Sequence, residues 1–281
     1  MLSPRVSVLI ATYNRATLLS RAIESIRLQN FNELEIIIVD DGSTDNTEKV
    51  AREWQQRDDR IKYIRSNHIG RIAKISNLGL SRANGEYIAI LDDDDSWAMT
   101  DKLKKQVEFL DKNPEYVGCG GGIIVVNENY QETLRLLKPE NDQEIKKQAL
   151  IANSMINSTT VFRKAAAEKV GHYDASMLQF ADWDFWLKMG LIGKLYNFPE
   201  YFAYYLMWGK GTSFLKQKEN AKSAIRIVRR YKSKYPEFNK AIFLSSLYYL
   251  YAYIPTFLKK FLNPFLSRFK KVIFSKESLG V

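Results

Sequence analysis

Tyr87-Ile88-Ala89-Ile90-Leu91-Asp92-Asp93-Asp94-Asp95 reads as a short apolar strand that runs without a break into four carboxylates. An apolar run of this length bounded by polar residues is what a strand covered on both faces looks like, and parallel strands are covered that way. Val6 to Ala11 and Glu35 to Val39 have the same character. Between them Leu19, Ala22, Ile23 and Ile26 recur at helical spacing, and past the second strand Asp45 with Glu48 offers a capping-box-like start to a helix carrying Val50 and Trp54. The alternation predicts an α/β fold with a mainly parallel sheet and helices packed on both faces.

Each strand ends in a polar cluster: Thr12-Tyr13-Asn14-Arg15, then Asp40-Asp41-Gly42-Ser43, then the aspartate run. In an open α/β sheet, ligands bind beyond the carboxyl ends of the strands, so the three clusters converge on one crevice. Consecutive carboxylates repel one another unless a cation or solvent relieves them. Hard oxygen ligands in a ligand crevice point to Mg2+ or Mn2+, which share their coordination with substrate phosphates and water. An acidic turn capping a helix after Ser96 accounts for part of the run and not for all of it. A carboxylate at Asp40-Asp41 can accept from a base N–H or ribose hydroxyls, although that tetrapeptide alone also reads as a turn with an N-cap. The exit of the first strand lacks the Gly-x-Gly-x-x-Gly turn, which argues against a nicotinamide dinucleotide.

With 281 residues, 46% of them hydrophobic, the chain can build one large α/β domain or two packed lobes. The single Cys119 excludes an internal disulfide framework or a cysteine-rich zinc site and fits a reducing compartment. From Met1 the chain enters the first strand with no long apolar stretch of the signal-peptide kind, so nothing there directs export. Lys and Arg exceed Asp and Glu by 42 to 32, a formal charge of +10 that favours anionic partners. The excess is partly concentrated between Lys259 and Lys276, while the acids gather at the crevice. A basic nucleic-acid-binding protein is the rival reading. The acidic crevice and the spacing of phenylalanines among the lysines argue against it, so no nucleic-acid partner is expected.

Farther along, glycines at Gly118 and Gly120 to Gly122 lead into an apolar strand at Ile123 to Val126, opening a second, mixed lobe. From Ala241 to Leu258 no residue is charged, but Tyr248, Tyr249, Tyr251, Tyr253 and Pro255 suit an interfacial helix better than a membrane span. Phe257, Phe261, Phe265 and Phe269 follow at four-residue intervals, interrupted by Pro264. The expectation is a peripheral membrane foot, and the alternative is a helical pair packed on the preceding lobes. The expected division is 1–115, 116–215 and 216–281.

The ordered set Val8 to Arg15, Ile38 to Asp45, Asn77 to Ile88 and Leu91 to Asp95 resembles the inverting glycosyltransferases of family 2 with the GT-A fold, over residues 5–215. The resemblance implies a Rossmann-like nucleotide-binding lobe (1–115), an acceptor-binding and catalytic-base lobe (116–215) and, here, C-terminal amphipathic helices (216–281). It assigns Thr12 and Asp41 to the donor nucleotide, with Asp41 at the base, and Arg71 to a nucleotide contact found in some members. The aspartate run matches the Asp-x-Asp metal motif. Asp92 with Asp94 is the first choice of register, Asp92 lies on the nucleotide side, and Asp94 and Asp95 are the candidate ligands of Mn2+ or Mg2+. Asp182, in Ala181-Asp182-Trp183-Asp184-Phe185-Trp186, matches the catalytic base. The residues alone rank it no higher than Asp174 or Asp184, because an aspartate at a helix start is ordinarily a cap. Trp183 and Trp186 are expected in the core rather than against a sugar ring. The chain departs from the family at Ala181, where Glu is frequent, and in the loop Trp208 to Ser213, where Trp208 and Lys210 flank a glycine and many members carry a histidine.

The activity so implied is a single displacement that carries a sugar from a nucleoside diphosphate, UDP by default, to an acceptor hydroxyl. A lipid-linked glycan in surface-polysaccharide assembly is the expected acceptor, and the cytoplasmic face of a membrane, held peripherally, is the expected place. Direct transfer to polyprenyl phosphate and a non-catalytic nucleotide-binding scaffold are the alternatives.

Overall fold

The computed structural model describes residues 3–207 and 216–255, together with Lys259. The first part of the chain runs β1 (Val6–Thr12), α1 (Ala16–Arg27), β2 (Leu34–Asp40), α2 (Thr47–Arg57), β3 (Ile61–Arg65), α3 (Ile72–Leu80) and β4 (Tyr87–Ile90). All four strands are parallel, with β1 between β2 and β4 and Thr12 level with Asp40. Alternate side chains divide between two cores, as a period of two requires. Val8, Ile10, Ile36 and Ile38 meet Leu19, Ile23 and Ile26 of α1 on one face, while Leu9, Ile37 and Val39 meet Ile75 and Leu80 of α3 on the other. Each such buried side chain contributes about 1.5–3 kcal/mol, which fixes the register and aligns the three polar clusters at one edge.

The start of α2 differs from the capping-box expectation. Asp45 accepts from the Thr47 backbone N–H at 2.9 Å and its hydroxyl at 2.5 Å. Glu48, instead of reaching back, pairs with Arg52 and Arg65. The nearby guanidinium of Arg65 on β3 competes successfully for the carboxylate.

The chain continues through β5 (Ser96–Trp97), α4 (Lys102–Lys112), β6 (Tyr116–Val126), β7 (Glu132–Leu136), α5 (Asp142–Gln148), a 3-10 turn at Asn157–Thr159, β8 (Val161–Arg163), α6 (Lys164–Lys169), α7 (Ala181–Ile192) and β9 (Lys194–Leu206). One nine-stranded sheet results, in the order β3-β2-β1-β4-β8-β6-β9-β5 with β7 paired to β6. The sheet crosses position 115/116 unbroken, because β8 returns antiparallel between β4 and β6. The glycines expected ahead of a strand lie inside β6. A Cβ at Gly121 would stand 2.5 Å from the Phe202 ring, and one at Gly118 would stand 3.0 Å from Trp186. Glycine in a strand interior marks such close approach.

Two further helices, α8 (Gln217–Arg230) and α9 (Phe238–Tyr253), complete the described chain. Ala224, Ile227 and Val228 of α8, with Tyr231 and Tyr235, join the core that holds Phe185 and Leu187 of α7. The packed helical pair is therefore what α8 and the start of α9 form. The outer face of α9 stays open, with Phe243, Leu247 and Leu250 exposed. Among the described residues no helix is long and apolar enough to cross a membrane. Trp208, Lys210 and the phenylalanines from Phe257 to Phe269 lie outside the described residues.

Candidate active site

The crevice is lined by the ends of β1, β2 and β4, by the 3-10 turn, and by the first turn of α7. Asp41, just past β2, donates its backbone N–H to the Thr12 carbonyl at 2.9 Å, which ties the first two clusters together. Its carboxylate accepts from the backbone N–H groups of Ile69 and Gly70 at 2.6 and 2.8 Å. Arg71 follows directly, at the N-cap of α3. Gly42 permits the turn, with φ of +75° and no room for a Cβ beside the backbone of His68. Tyr13 stacks on His68 with ring centroids 4.3 Å apart.

The four aspartates have four different surroundings. Asp92 accepts from the Asn157 side chain at 3.1 Å, and its own N–H donates to the Ser158 hydroxyl. Burial first, and then the Asp94 charge, push Asp92 up to about 6. Asp93 is buried beside Thr12 and pairs with Arg15 at 3.1 Å; burial outweighs that pairing and pushes it up to about 7. Asp94 also pairs with Arg15. Asp95 is 2% exposed, accepting from the Ser158 hydroxyl and from the Leu206 N–H, and burial followed by the Asp92 and Asp94 charges raises it well above the carboxylate range. Repulsion of this kind invites a cation. Among the described residues no three His, Cys, Asp or Glu side chains form a metal cage by themselves. The donor set fits Mg2+ or Mn2+, hard ions that take one or two carboxylates and complete their shell with phosphate and water.

Asp182 stands in the first turn of α7 and accepts from the Asn153 side chain at 2.9 Å. Burial raises its pKa, against the opposing hydrogen bonds from Trp183 and its own backbone and from Asn153. Its charge reaches Asp92, and the phenol of Tyr205 on β9, raised by burial, feels Asp95, Asp92, Asp94 and Asp182 in turn. One short stretch of chain thus holds both carboxylates, Asn153 donating to Asp182 and Asn157 to Asp92. Asp174 and Asp184, indistinguishable from Asp182 in the sequence, both pair with Arg230. Trp183 donates to the Ala149 carbonyl at 2.7 Å and Trp186 packs edge-on to Phe162 and Phe185, so both are core residues. Arg15, Asn153, Asn157, Ser158 and Tyr205 were not singled out by the sequence reading. Only Arg15 had a signal there, as the last residue of the first polar cluster.

A model of glycosyl transferase family 2 matches residues 7–171. The chain belongs to that family. It is 37% identical over 171 residues to a Campylobacter jejuni GalNAc(5)-diNAcBac-PP-undecaprenol beta-1,3-glucosyltransferase, covering 59% of this chain and 53% of that protein. The matched stretch therefore spans about half the length of that relative. An uncharacterized glycosyltransferase of Methanocaldococcus jannaschii is 30% identical over 274 residues, covering 92% of each chain. Among solved structures, a Pyrobaculum calidifontis mannosyltransferase in complex with GDP-Man and Mn2+ superposes with a TM-score of 0.65 at 18% identity, covering 89% of this chain and 70% of that one. S. aureus TarS 1-349 in complex with UDP-GlcNAc gives 0.64 at 18% identity, covering 85% and 70%. This family 2 glycosyltransferase therefore has the GT-A fold.

Proposed function

We propose that the chain is an inverting, metal-dependent glycosyltransferase that moves a sugar from a nucleoside-diphosphate donor, UDP-linked by first choice, to a hydroxyl of a lipid-linked glycan. What supports this reading is that one short stretch before β8 holds both groups, Asn153 donating to Asp182 and Asn157 to Asp92, and that the Asp182 charge reaches Asp92. The undecaprenol-linked substrate in the name of the Campylobacter relative supports the acceptor class. In this reading residues 1–115 hold the donor and 116–215 the acceptor. Thr12, Asp41, Arg71 and Asp92 contact the nucleotide. Asp94, which faces Arg15, is the principal ligand of the cation, with Asp95 behind it. When bound, the cation neutralises charge on the departing diphosphate.

Asp182 takes the proton of the acceptor hydroxyl as that oxygen attacks the anomeric carbon from the side opposite the diphosphate. The glycosidic C–O bond breaks with its electron pair on the diphosphate, and the configuration inverts. A carboxylate made more basic by burial is a better proton acceptor near neutral pH than an exposed one. Asn153 fixes one of its oxygens. The open face of α9 supports the peripheral seat on a membrane, and the cytoplasmic face is the side proposed for it.

The test is a panel of UDP-, GDP- and dTDP-sugars with Mn2+, Mg2+ or EDTA, using wild type, Asp94→Asn and Asp182→Asn. The expected result is metal-dependent binding of one donor that Asp94→Asn abolishes. Asp182→Asn should keep donor binding and lose turnover by about 10²–10⁴-fold. Polyprenyl phosphate as sole acceptor distinguishes carrier loading from glycan extension. A folded wild type that binds no donor defeats the reading and leaves the scaffold alternative.

A further inference from the structure

Asp182 and Asp184 sit two residues apart at the start of α7. At about 100° per residue they point to nearly opposite sides of the helix. Asp182 turns toward Asn153, and Asp184, 0% exposed, meets Arg230 and Tyr231. One guanidinium nitrogen of Arg230, at the end of α8, lies 2.7 Å from Asp184 Oδ1 and 2.8 Å from Asp174 Oδ2. Tyr231 donates its hydroxyl to Asp184 at 3.0 Å, and Tyr235 donates to the Leu187 carbonyl at 2.6 Å. Lys188 approaches Asp184 at 3.7 Å and donates to the His172 carbonyl.

The segment between the two carboxylates contains Asp182 and forms no regular element before α7. It begins after His172 and Gly171, both at positive φ, and enters α7 through Phe180 at φ of +61°. A residue other than glycine in that region is held there by its surroundings. Arg230 fastens the segment at both ends.

We propose that Arg230 is a positioning residue for sugar transfer: by bridging Asp174 and Asp184 it sets the first turn of α7, and so the place of the Asp182 carboxylate in the crevice. This rests on reading Asp182 as the base. It makes α8, which lies beyond the residues matched by the family model, a working part of the active site. General-base chemistry demands hydrogen-bond reach, and a misplacement of about 1 Å costs on the order of 10²-fold in rate.

The experiment compares Arg230→Met, Arg230→Lys, Asp174→Asn and Asp182→Asn as full chains, measuring melting temperature, donor Kd, acceptor KM and kcat. Arg230→Met is expected to lower kcat by about 10–100-fold with donor Kd and acceptor KM within about twofold of wild type, because the loss is one of base geometry. Arg230→Lys should recover much of kcat, since an ammonium can still bridge the two carboxylates. Asp174→Asn breaks the outer half of the clamp without stranding the buried Asp184, and should lower kcat by a smaller factor. It decides the matter if Arg230→Met fails to fold. Wild-type kcat in Asp174→Asn and in folded Arg230→Met overturns the proposal, as does a parallel loss of donor binding and kcat, the mark of general damage. Asp182→Asn separates the two ideas. If it retains turnover, the base assignment falls; if it is inactive while the clamp variants turn over normally, only the clamp falls.

Discussion

Asp92 and Asp93 give the crevice its pH dependence. Burial, followed for Asp92 by the Asp94 charge, holds them near 6 and 7, against about 3.9 for an aspartate in the unfolded chain. From about pH 4 to 7 the native metal-free protein therefore binds more protons than the unfolded one, and its stability falls as pH rises through that window. Asp58 and Asp174 work the other way. Hydrogen bonds from Arg60 and from Ser176, respectively, lead in depressing them to about 2, so their contribution is lost only as pH falls below about 4. The metal-free melting temperature should thus rise as pH is lowered from about 8 to 5 and drop again below about 4. Mn2+ or Mg2+ should raise it at about pH 8, through a stabilisation of as much as about 2.7 kcal/mol at a hundredfold excess over Kd, and do less as pH falls, because protonation of the buried Asp95 competes with the cation. A melting curve at pH 8 indifferent to both ions would remove the cation from these residues. At this scale much of the candidate site was legible. Strand exits announce themselves, so Thr12, Asp41 and the aspartate run could be named from the sequence. The residues that orient them, Asn153, Asn157 and Ser158, lie in an irregular stretch where no periodicity marks which polar side chain turns inward.

Among the elements, β6 shows most clearly what a pattern hides. Its glycines read as the approach to a strand that starts at Ile123, because glycine is commonest outside strand interiors. Yet Gly121 is in the strand because the fully buried Phe202 ring occupies the space its side chain would need. Gly121→Ala should destabilise the protein by about 1–3 kcal/mol through overpacking. A urea titration checks this, with a lower midpoint at unchanged slope as the expected result and an unchanged midpoint as the contrary one. The parallel strands β1, β2 and β4, by contrast, were legible almost to their ends, since a strand buried on both faces has few residue types open to it. The join of β4 to β6 through the three-residue β8 was not. Val161–Arg163 is too short to carry a period, and its place depends on pairing with strands far away in the chain.

For the molecule as a whole, the uncharged run 241–258 predicts an interfacial helix and its described part lies mainly in α9, while the basic run from Lys260 to Lys276 lies outside the described residues. Ala221 and Ala224 are buried along one side of α8. The opposite face of the pair is left open. Phe243, Leu247 and Leu250, 62%, 46% and 64% exposed, follow one another at intervals of four and three residues along a single stripe of α9. Lys218 lies over the Tyr253 ring at 4.9 Å, and α8 adds Lys222, Arg226 and Arg229 against Glu219 alone. Seating three such side chains in an interface contributes about 1.5–3 kcal/mol each, and each nearby cation adds about 1 kcal/mol on an anionic surface. Neither contribution alone holds the protein firmly; together they favour anionic over neutral bilayers. The full chain should therefore float with vesicles containing anionic phospholipid and much less with neutral ones. Phe243→Glu combined with Leu250→Glu should release it even at low salt, while high salt alone should only weaken wild-type binding, because the apolar contribution is not screened. Flotation unaffected by the double substitution would mean that the contact lies elsewhere on the chain. Loss of flotation with sugar transfer to a soluble acceptor intact would show that the foot delivers the enzyme to its acceptor rather than shaping its crevice.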